Sequence, residues 1–200
     1  GILDERHYLA HTNTAGAILW RNCDAAISIG CRLQAERMSW GMDDALKIIH
    51  VDIDPTEINR ITKPDVGLVS DAAFTTRKII DALNKYNLKR TSREEEMLNL
   101  KAQAEKLMEE KAGPQMAWLR AIRDVLPDNG LFVDEFTQVG YVSRVGFPVY
   151  NPRSMITPGY QGTLGYGYAT ALGVKVAHPD KPVVSVNGDG GFMYTMPEIA

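Results

Sequence analysis

The residues Asn187-Gly188-Asp189-Gly190-Gly191-Phe192 combine three glycines with one carboxylate. They follow Pro182-Val183-Val184-Ser185-Val186, an apolar β-branched run that reads as a buried strand. They precede Thr195-Met196-Pro197-Glu198, a capping-box signature with proline in the first helical turn. A strand, a glycine-rich loop and a helix start set backbone amides and the positive end of a helix against phosphate oxygens. Asp189 adds the hard carboxylate oxygen that Mg²⁺ takes when it bridges a protein to a diphosphate. Asn187-Gly188 and Asp189-Gly190 are also hairpin-turn signals, but a hairpin needs a returning strand and residues 195–198 announce a helix.

A second stretch, Gly162-Thr163-Leu164-Gly165-Tyr166-Gly167 continuing to Gly173, is helical in pattern yet crowded with small residues. Each interior glycine costs a helix about 1 kcal/mol relative to alanine, so a neighbouring helix or a ligand must approach that backbone closely. A third feature pairs Gly30 and Arg32, at the end of one apolar run, with Asp52 and Asp54 at the end of the next. A glycine at one strand end and an acid about twenty residues on is the ribose-binding arrangement of dinucleotide folds, although helix capping explains Asp54 equally well. The histidines His7, His11, His50 and His178 show no metal-ligand spacing, and His50, inside an apolar strand, reads as a satisfied core residue. No Gly-x-Ser-x-Gly elbow occurs.

The elements that position these residues follow from periodicity. Residues 24–30, 47–53 and 66–70 read as strands, with a helix starting at Asp54-Pro55-Thr56-Glu57 and another capped by Asp71, its face formed by Phe74, Ile79, Ile80 and Leu83. A charged middle segment opens on Ser92-Arg93-Glu94-Glu95, carries the stripe Met97, Leu100, Ala104, Leu107 and Met108, and stops at Gly113-Pro114. It reads as a surface linker helix. Beyond it, Trp118, Leu119, Ile122 and Val125 form a helix face, and residues 131–133, 154–157 and 182–186 read as strands. The expected fold is α/β, with doubly wound, mostly parallel sheets in two partial three-layer domains joined by a charged helical linker. The expected boundaries are 1–86, 87–114 and 115–200.

The 200 residues carry 22 Lys+Arg against 25 Asp+Glu, a net charge of −3, spread with no basic footprint for a polyanion, so nucleic acid is not an expected partner. No run approaches the about 18 apolar residues of a membrane span, and Asp4, Glu5 and Arg6 occupy the place of a signal peptide's apolar core. A soluble, cytoplasmic protein is expected. Cys23 and Cys31 read as small buried hydrophobes rather than a disulfide. The chain ends in what reads as the first turn of a helix, so it is expected to be the back of one domain and the front of another.

Taken together, Gly188-Asp189-Gly190-Gly191-Phe192, the run from Gly162 to Gly167, and His50-Val51-Asp52-Ile53-Asp54-Pro55 resemble the thiamine-diphosphate enzymes of the acetolactate synthase type. The motifs occur in that family's order over nearly the whole chain. The resemblance implies that residues 1–86 are the later part of a central, Rossmann-like domain and 115–200 the first half of the diphosphate-binding domain. It implies Asp189 as a Mg²⁺ ligand, and Gly162, Thr163, Leu164, Gly188, Asp189, Gly190, Gly191 and Phe192 as cofactor-binding. Leu164 takes the place of the apolar wedge that bends the cofactor, bringing its amino group beside its reactive carbon. Gln138 stands where the family contacts the diphosphate through a Gln-His pair; Val139 replaces the histidine, a departure from the acetolactate synthases proper. Gly30, Arg32, Asp52 and Asp54 match an edge where acetolactate synthases hold FAD and many relatives hold nothing. The acidic pair of the flavin binders is absent from Leu33-Gln34-Ala35-Glu36-Arg37.

The implied activity is carbanion chemistry on 2-keto acids, decarboxylation followed by carboligation. A simple 2-keto acid decarboxylase or an aldehyde carboligase or lyase is the alternative within the family. A non-catalytic nucleotide-binding or regulatory module is the alternative outside it. The resemblance places the activating glutamate in an N-terminal domain of a partner subunit, and a second metal ligand, an asparagine, beyond Ala200. The 200 residues alone are therefore expected to be inactive and to bind the cofactor poorly. The whole protein is expected to be a homo-oligomer, dimer or tetramer, with residues 165–173 as a close-packing surface that Gly167→Val would disrupt.

Overall fold

A computed structural model describes residues 2–41, 45–83, 85–86, 91–159 and 161–200. The chain forms two compact units, one of Gly16–Ser92 and one of Gly1–Ala15 together with Arg93–Ala200. This division differs from the expected one, because the first fifteen residues belong with the second unit. Residues 87–90, where the linker was expected to begin, lie outside the described residues.

In the first unit the β-branched runs form a parallel sheet, β1 (Ala25–Ile29), β2 (Lys47–Asp52) and β3 (Val66–Val69), with β2 in the middle. Ile48 and Val51 of β2 are buried, and Ile48 joins Leu33 and Leu46 in a core against Trp20 and Ala26. Trp20 ends helix α1 (Asn13–Trp20), meets the Trp40 ring edge-on, and donates its indole N–H to the Gly41 carbonyl. Asp71 caps α2 (Ala72–Leu83) as expected, accepting from the Phe74 amide at 2.8 Å.

Four expectations for this unit need correcting. Residues 55–60 form turns rather than a helix: Asp54 accepts the Thr56 amide and hydroxyl, but Asn59 turns left-handed at φ 69° before a second helical turn can form. The expected α2 face is not a single face: Phe74 and Leu83 stand nine residues apart, about two and a half turns, and so on opposite sides of the helix, and Phe74, Ile80 and Leu83 are all exposed. His50 is buried, but its Nε2 finds no hydrogen-bond partner among the described residues. Both cysteines are free, which agrees with the absence of a disulfide, but exposed rather than buried: Cys31 follows the left-handed Gly30 past the end of β1, and Cys23 sits in the loop before it.

The second unit is built on β5 (Met155–Ile156), β4 (Leu131–Asp134) and β6 (Val183–Val186), parallel and in that spatial order. Every residue of the central strand β4 is buried, as a parallel strand covered on both faces must be. Phe132 stacks on Phe147 at 4.3 Å between ring centroids, in a core with Met116, Leu119, Leu126 and Val149. Helix α3 (Glu94–Val125) is two helices end to end: Ala112 leaves helical geometry (φ −147°, ψ 37°), and Pro114 begins the second segment, where no N–H is required.

The charged segment packs its apolar stripe within the second unit and keeps its other faces exposed. Met97, Leu100 and Ala104 are buried, and the Lys101 ammonium donates to the carbonyls of Glu5 and His7, holding the N-terminal segment against α3. Its N-cap is Arg93 rather than Ser92, without a side-chain capping bond, the Arg93 guanidinium pairing instead with Glu96. In the second segment Leu119 is buried, whereas Trp118 and Val125 are exposed. Three helices complete the unit: α4 (Gln138–Gly146), α5 (Tyr166–Ala177) and α6 (Asp189–Thr195), the last running into a 3₁₀ turn, Met196–Ile199. Among the described residues no helix is long and apolar enough to cross a membrane.

Candidate functional site

Strand β4 lies between β5 and β6, so the chain leaves β4 towards one neighbour and later returns on its other side. The carboxyl ends of β4 and β6 flank the point where the strand order reverses, the place where open α/β sheets bind ligands. Asp134 ends β4 and Glu135 follows it; Asn187 and Gly188 follow the end of β6.

Glu135 is fully buried and occupies the middle of this edge. The Gly165 amide donates to Glu135 Oε1 at 2.6 Å, and the Gly167 amide donates to Oε2 at 3.0 Å. Gly165 is the N-cap of α5, left-handed at φ 84°, and has no side chain with which to cap. The Glu135 carboxylate thus satisfies, from a different element, amides that an α-helix leaves open at its start. A Cβ on Gly191 would lie 1.8 Å from Oε1, and one on Gly167 would lie 2.1 Å from Asn187 Oδ1 and 2.8 Å from Glu135 Oε2. The close approach that the glycine pattern demanded is made by Glu135, Asn187 and, at Gly165, Tyr194 of the same chain. Residues 165 and 167 therefore do not serve as the expected packing surface, whereas Gly173 faces open space.

Asp134 points elsewhere. Its Oδ2 accepts from Arg144 Nε at 3.0 Å, its Oδ1 has no partner among the described residues, and burial pushes its carboxyl up while Arg144 opposes the shift. The Arg144 guanidinium lies over the rings of Phe136 and Tyr141.

The glycine-rich stretch expected to be a loop is the first turn of α6. Gly188, extended at φ −78° and ψ 157°, is the N-cap, and the helix starts at Asp189, six residues before the predicted Thr195. Glycine propensity argued for a loop; an acid at the first helical position and the seat over Glu135 decide for a helix. Asp189 is exposed and its Oδ1 accepts the Gly190 amide; a Cβ on Gly190 would meet nothing within 4 Å. Phe192 packs edge-on against Tyr168. Gly162 lies against the Phe136 ring, the Thr163 hydroxyl donates to the Leu164 carbonyl, and Leu164 is half exposed just before the left-handed Gly165. Gln138 opens α4 beside Thr137, whose methyl approaches Gly188, but the Gln138 Oε1 is taken by the Gln115 amide. Gly165, Gly167 and Gly191 thus meet at Glu135, Gly162 and Gly188 lie against Phe136 and Thr137 just after it, and the Gln138 side chain is turned to α3. A cavity of about 200 Å³ elsewhere in the unit, bounded by Glu5, Lys101, Met108 and Met116, contains none of them.

In the other unit, the Gly30 amide donates to the Val51 carbonyl, so the ends of β1 and β2 do adjoin. Asp52 there accepts the Asp54 amide, Asp54 is held by Thr56, and Arg32 pairs with Glu57 at 3.3 Å. The Thr56 bonds hold the Asp54 carboxyl below the usual carboxylate range. Asp52 and Asp54 are engaged within their own loop, and Arg32 ties the segment after β1 to the turns after β2.

Residues 1–83 match the family model of the thiamine pyrophosphate enzyme central domain, and residues 137–200 match that of the C-terminal TPP binding domain. The chain belongs to the thiamine pyrophosphate enzyme family. Thiamine pyrophosphate enzymes similar to it include a probable acetolactate synthase large subunit of Methanocaldococcus jannaschii, 30% identical over the whole chain and 37% of that protein. A probable 2-ketoarginine decarboxylase of Pseudomonas aeruginosa is also 30% identical, over 77% of the chain and 28% of that protein. The acetolactate synthase large subunit of Haemophilus influenzae matches to the same extent. The matches thus span only 28% to 37% of the length of these thiamine pyrophosphate enzymes. Glu135 falls two residues ahead of the C-terminal match and outside the glycine motifs; the signal that could have singled it out is an acidic pair closing a wholly apolar strand just before a threonine cap.

Proposed function

We propose that this chain belongs to a thiamine-diphosphate- and Mg²⁺-dependent enzyme acting on 2-keto acids by decarboxylation and carboligation. The observation that supports the reading is the meeting of Gly165 and Gly191, which adjoin Leu164 and the Asp189 turn, at Glu135 beside the switch point of a domain that matches a TPP binding family. The donor set fits the metal. Asp189 offers one exposed carboxylate at the start of α6, and among the described residues no cluster of three or more His, Cys, Asp or Glu would hold an ion unaided. Mg²⁺ is usually held in that way, by one or two carboxylates with phosphate oxygens and water. Gly190, open on its Cβ side, leaves the backbone free for a diphosphate to approach.

In this reading Asp189 would hold the metal, the 188–191 backbone amides would meet the diphosphate, and Leu164 would contact the rest of the cofactor. Gln138 reaches the diphosphate only by releasing Gln115. The chemistry supplied by bound thiamine diphosphate is an electron sink for the carbanion left by loss of carbon dioxide. The protein is a cytoplasmic homo-oligomer, and the 200 residues by themselves are inactive.

Titration calorimetry of the full-length protein with thiamine diphosphate and Mg²⁺, followed by carbon dioxide release from pyruvate, tests the proposal. Absence of cofactor binding overturns it, and stabilisation by nucleotides alone favours a regulatory module. A second reading, simple decarboxylation of a larger 2-keto acid, is supported by Val139 in place of the family's histidine and by the similarity to a probable 2-ketoarginine decarboxylase. It predicts an aldehyde product and no carboligation. FAD at Gly30, Arg32, Asp52 and Asp54 is a separate proposal; it would displace the local bonds of those side chains, and flavin absorbance in the purified protein tests it.

A further inference from the structure

Burying a carboxylate is costly unless donors replace the water it loses. Glu135 is fully buried, and the donors that meet it are two backbone amides flanking Tyr166 at the start of α5. The same carboxylate fills the space that a side chain at Gly191 would need. It therefore touches both backbone segments of the site: one begins immediately after Leu164, and the other begins with Asp189, two residues before Gly191.

We propose that Glu135 is the positioning residue of the cofactor site, a buried carboxylate clamp that sets the spacing between Leu164 and Asp189 by holding the start of α5 and seating the first turn of α6. The inference rests on the thiamine-diphosphate reading above. The clamp also accounts for the glycines: Gly167 and Gly191 leave room for the carboxylate, and Gly165 supplies the left-handed turn that brings its amide onto Oε1. Glu135 does not act on the cofactor. It works through Leu164, whose half-exposed side chain is presented by the turn that the carboxylate fixes.

The test compares Glu135→Gln, Leu164→Ala and the double variant in the full-length protein, measuring thiamine diphosphate affinity by calorimetry and amide hydrogen exchange over residues 164–168. Glutamine keeps the shape but turns an N–H donor towards one of the two amides. Exchange there is expected to quicken about tenfold, and cofactor affinity to fall about tenfold, as for loss of one hydrogen bond to a charged group. In the double variant the affinity is expected to fall no further than in the weaker single variant, because both changes release the same element. Additive losses, or unchanged affinity in Glu135→Gln, overturn the positioning role. Unchanged exchange overturns the clamp itself, whatever the cofactor does. If wild-type protein binds no thiamine diphosphate, the proposed function falls and the positioning role with it; if wild type binds and the variants bind equally well, the positioning role falls alone. Should Glu135→Gln fail to fold, Gly191→Ala pushes on the same carboxylate without removing it, and the same affinity loss is expected there.

Discussion

Gly167 lies so close to Asn187 that a single added methyl group would stand 2.1 Å from Asn187 Oδ1. No carbon–oxygen contact survives at that distance, so the position tolerates glycine alone unless α5 moves. Gly167→Ala is expected to cost about 2 kcal/mol, as overpacking of a filled interior does, and Gly167→Val more. Gly173, six residues along the same helix, has nothing within 4 Å of its Cβ position, and Gly173→Ala is expected to gain up to about 1 kcal/mol from helix propensity. Urea unfolding of the two alanine variants should show opposite signs; equal effects would sink the assignment of the crowding to this contact.

Arg144 neutralises a carboxylate that has no water. Asp134 is fully buried, while the Arg144 side chain is about one-third exposed. Arg144→Ala leaves that charge alone in the interior and is expected to cost about 3 kcal/mol, the lower end for a broken buried pair because Arg144 itself stays partly in water. Arg144→Lys should recover only part of the loss, since an ammonium does not reproduce the planar group over Phe136 and Tyr141. Denaturant midpoints with unchanged slopes would measure both.

The same pair sets a pH dependence. Burial raises the folded-state pKa of Asp134 above its ordinary 3.8, against the opposing pull of Arg144. Between the ordinary and the raised value the folded state binds the proton and the unfolded chain does not, so this group's contribution to stability grows as pH falls through that window. Asp134→Asn, which cannot titrate, removes the effect. The stability of wild type minus that of the variant should therefore increase from pH 7 towards pH 4, and a difference independent of pH would contradict the assignment.

Leu164 separates folding from function. Half exposed, it contributes little to the core, and Leu164→Ala should cost less than about 1 kcal/mol in unfolding experiments. Under the proposed function the same change in the full-length enzyme should lower kcat about a hundredfold, the penalty for misplacing reacting groups by about an ångström. Asp189→Asn should instead raise the Mg²⁺ concentration needed for half-maximal activity. Thermal unfolding and steady-state kinetics on the two variants would show whether the losses divide in this way.

Much of the architecture is legible in the residue pattern because its causes are local. β-branched runs such as 47–53 and 182–186 form strands whatever surrounds them, Asp71 caps a helix with its own side chain, and Gly113-Pro114 breaks a helix by steric necessity. The three-glycine motif and the family resemblance were likewise visible, since glycine requirements are written directly into the sequence. What covers each element was not legible: Phe74, Ile80 and Leu83 of α2 are exposed, whereas Met97, Leu100 and Ala104 of the charged helix are buried.

The site divides along the same line. Its residue types and their order are determined by the sequence, from Leu164 to Asp189 and Gly191. Where the helix starts and what the glycines make room for were decided by tertiary structure. Asp189-Gly190-Gly191 forms a helical turn, despite its composition, because it is seated over a carboxylate brought from β4, more than fifty residues earlier in the chain. Neither periodicity nor spacing encodes that meeting. It follows from the parallel order β5-β4-β6, which sets the ends of β4 and β6 side by side and leaves Glu135 buried between them with two backbone amides to hold.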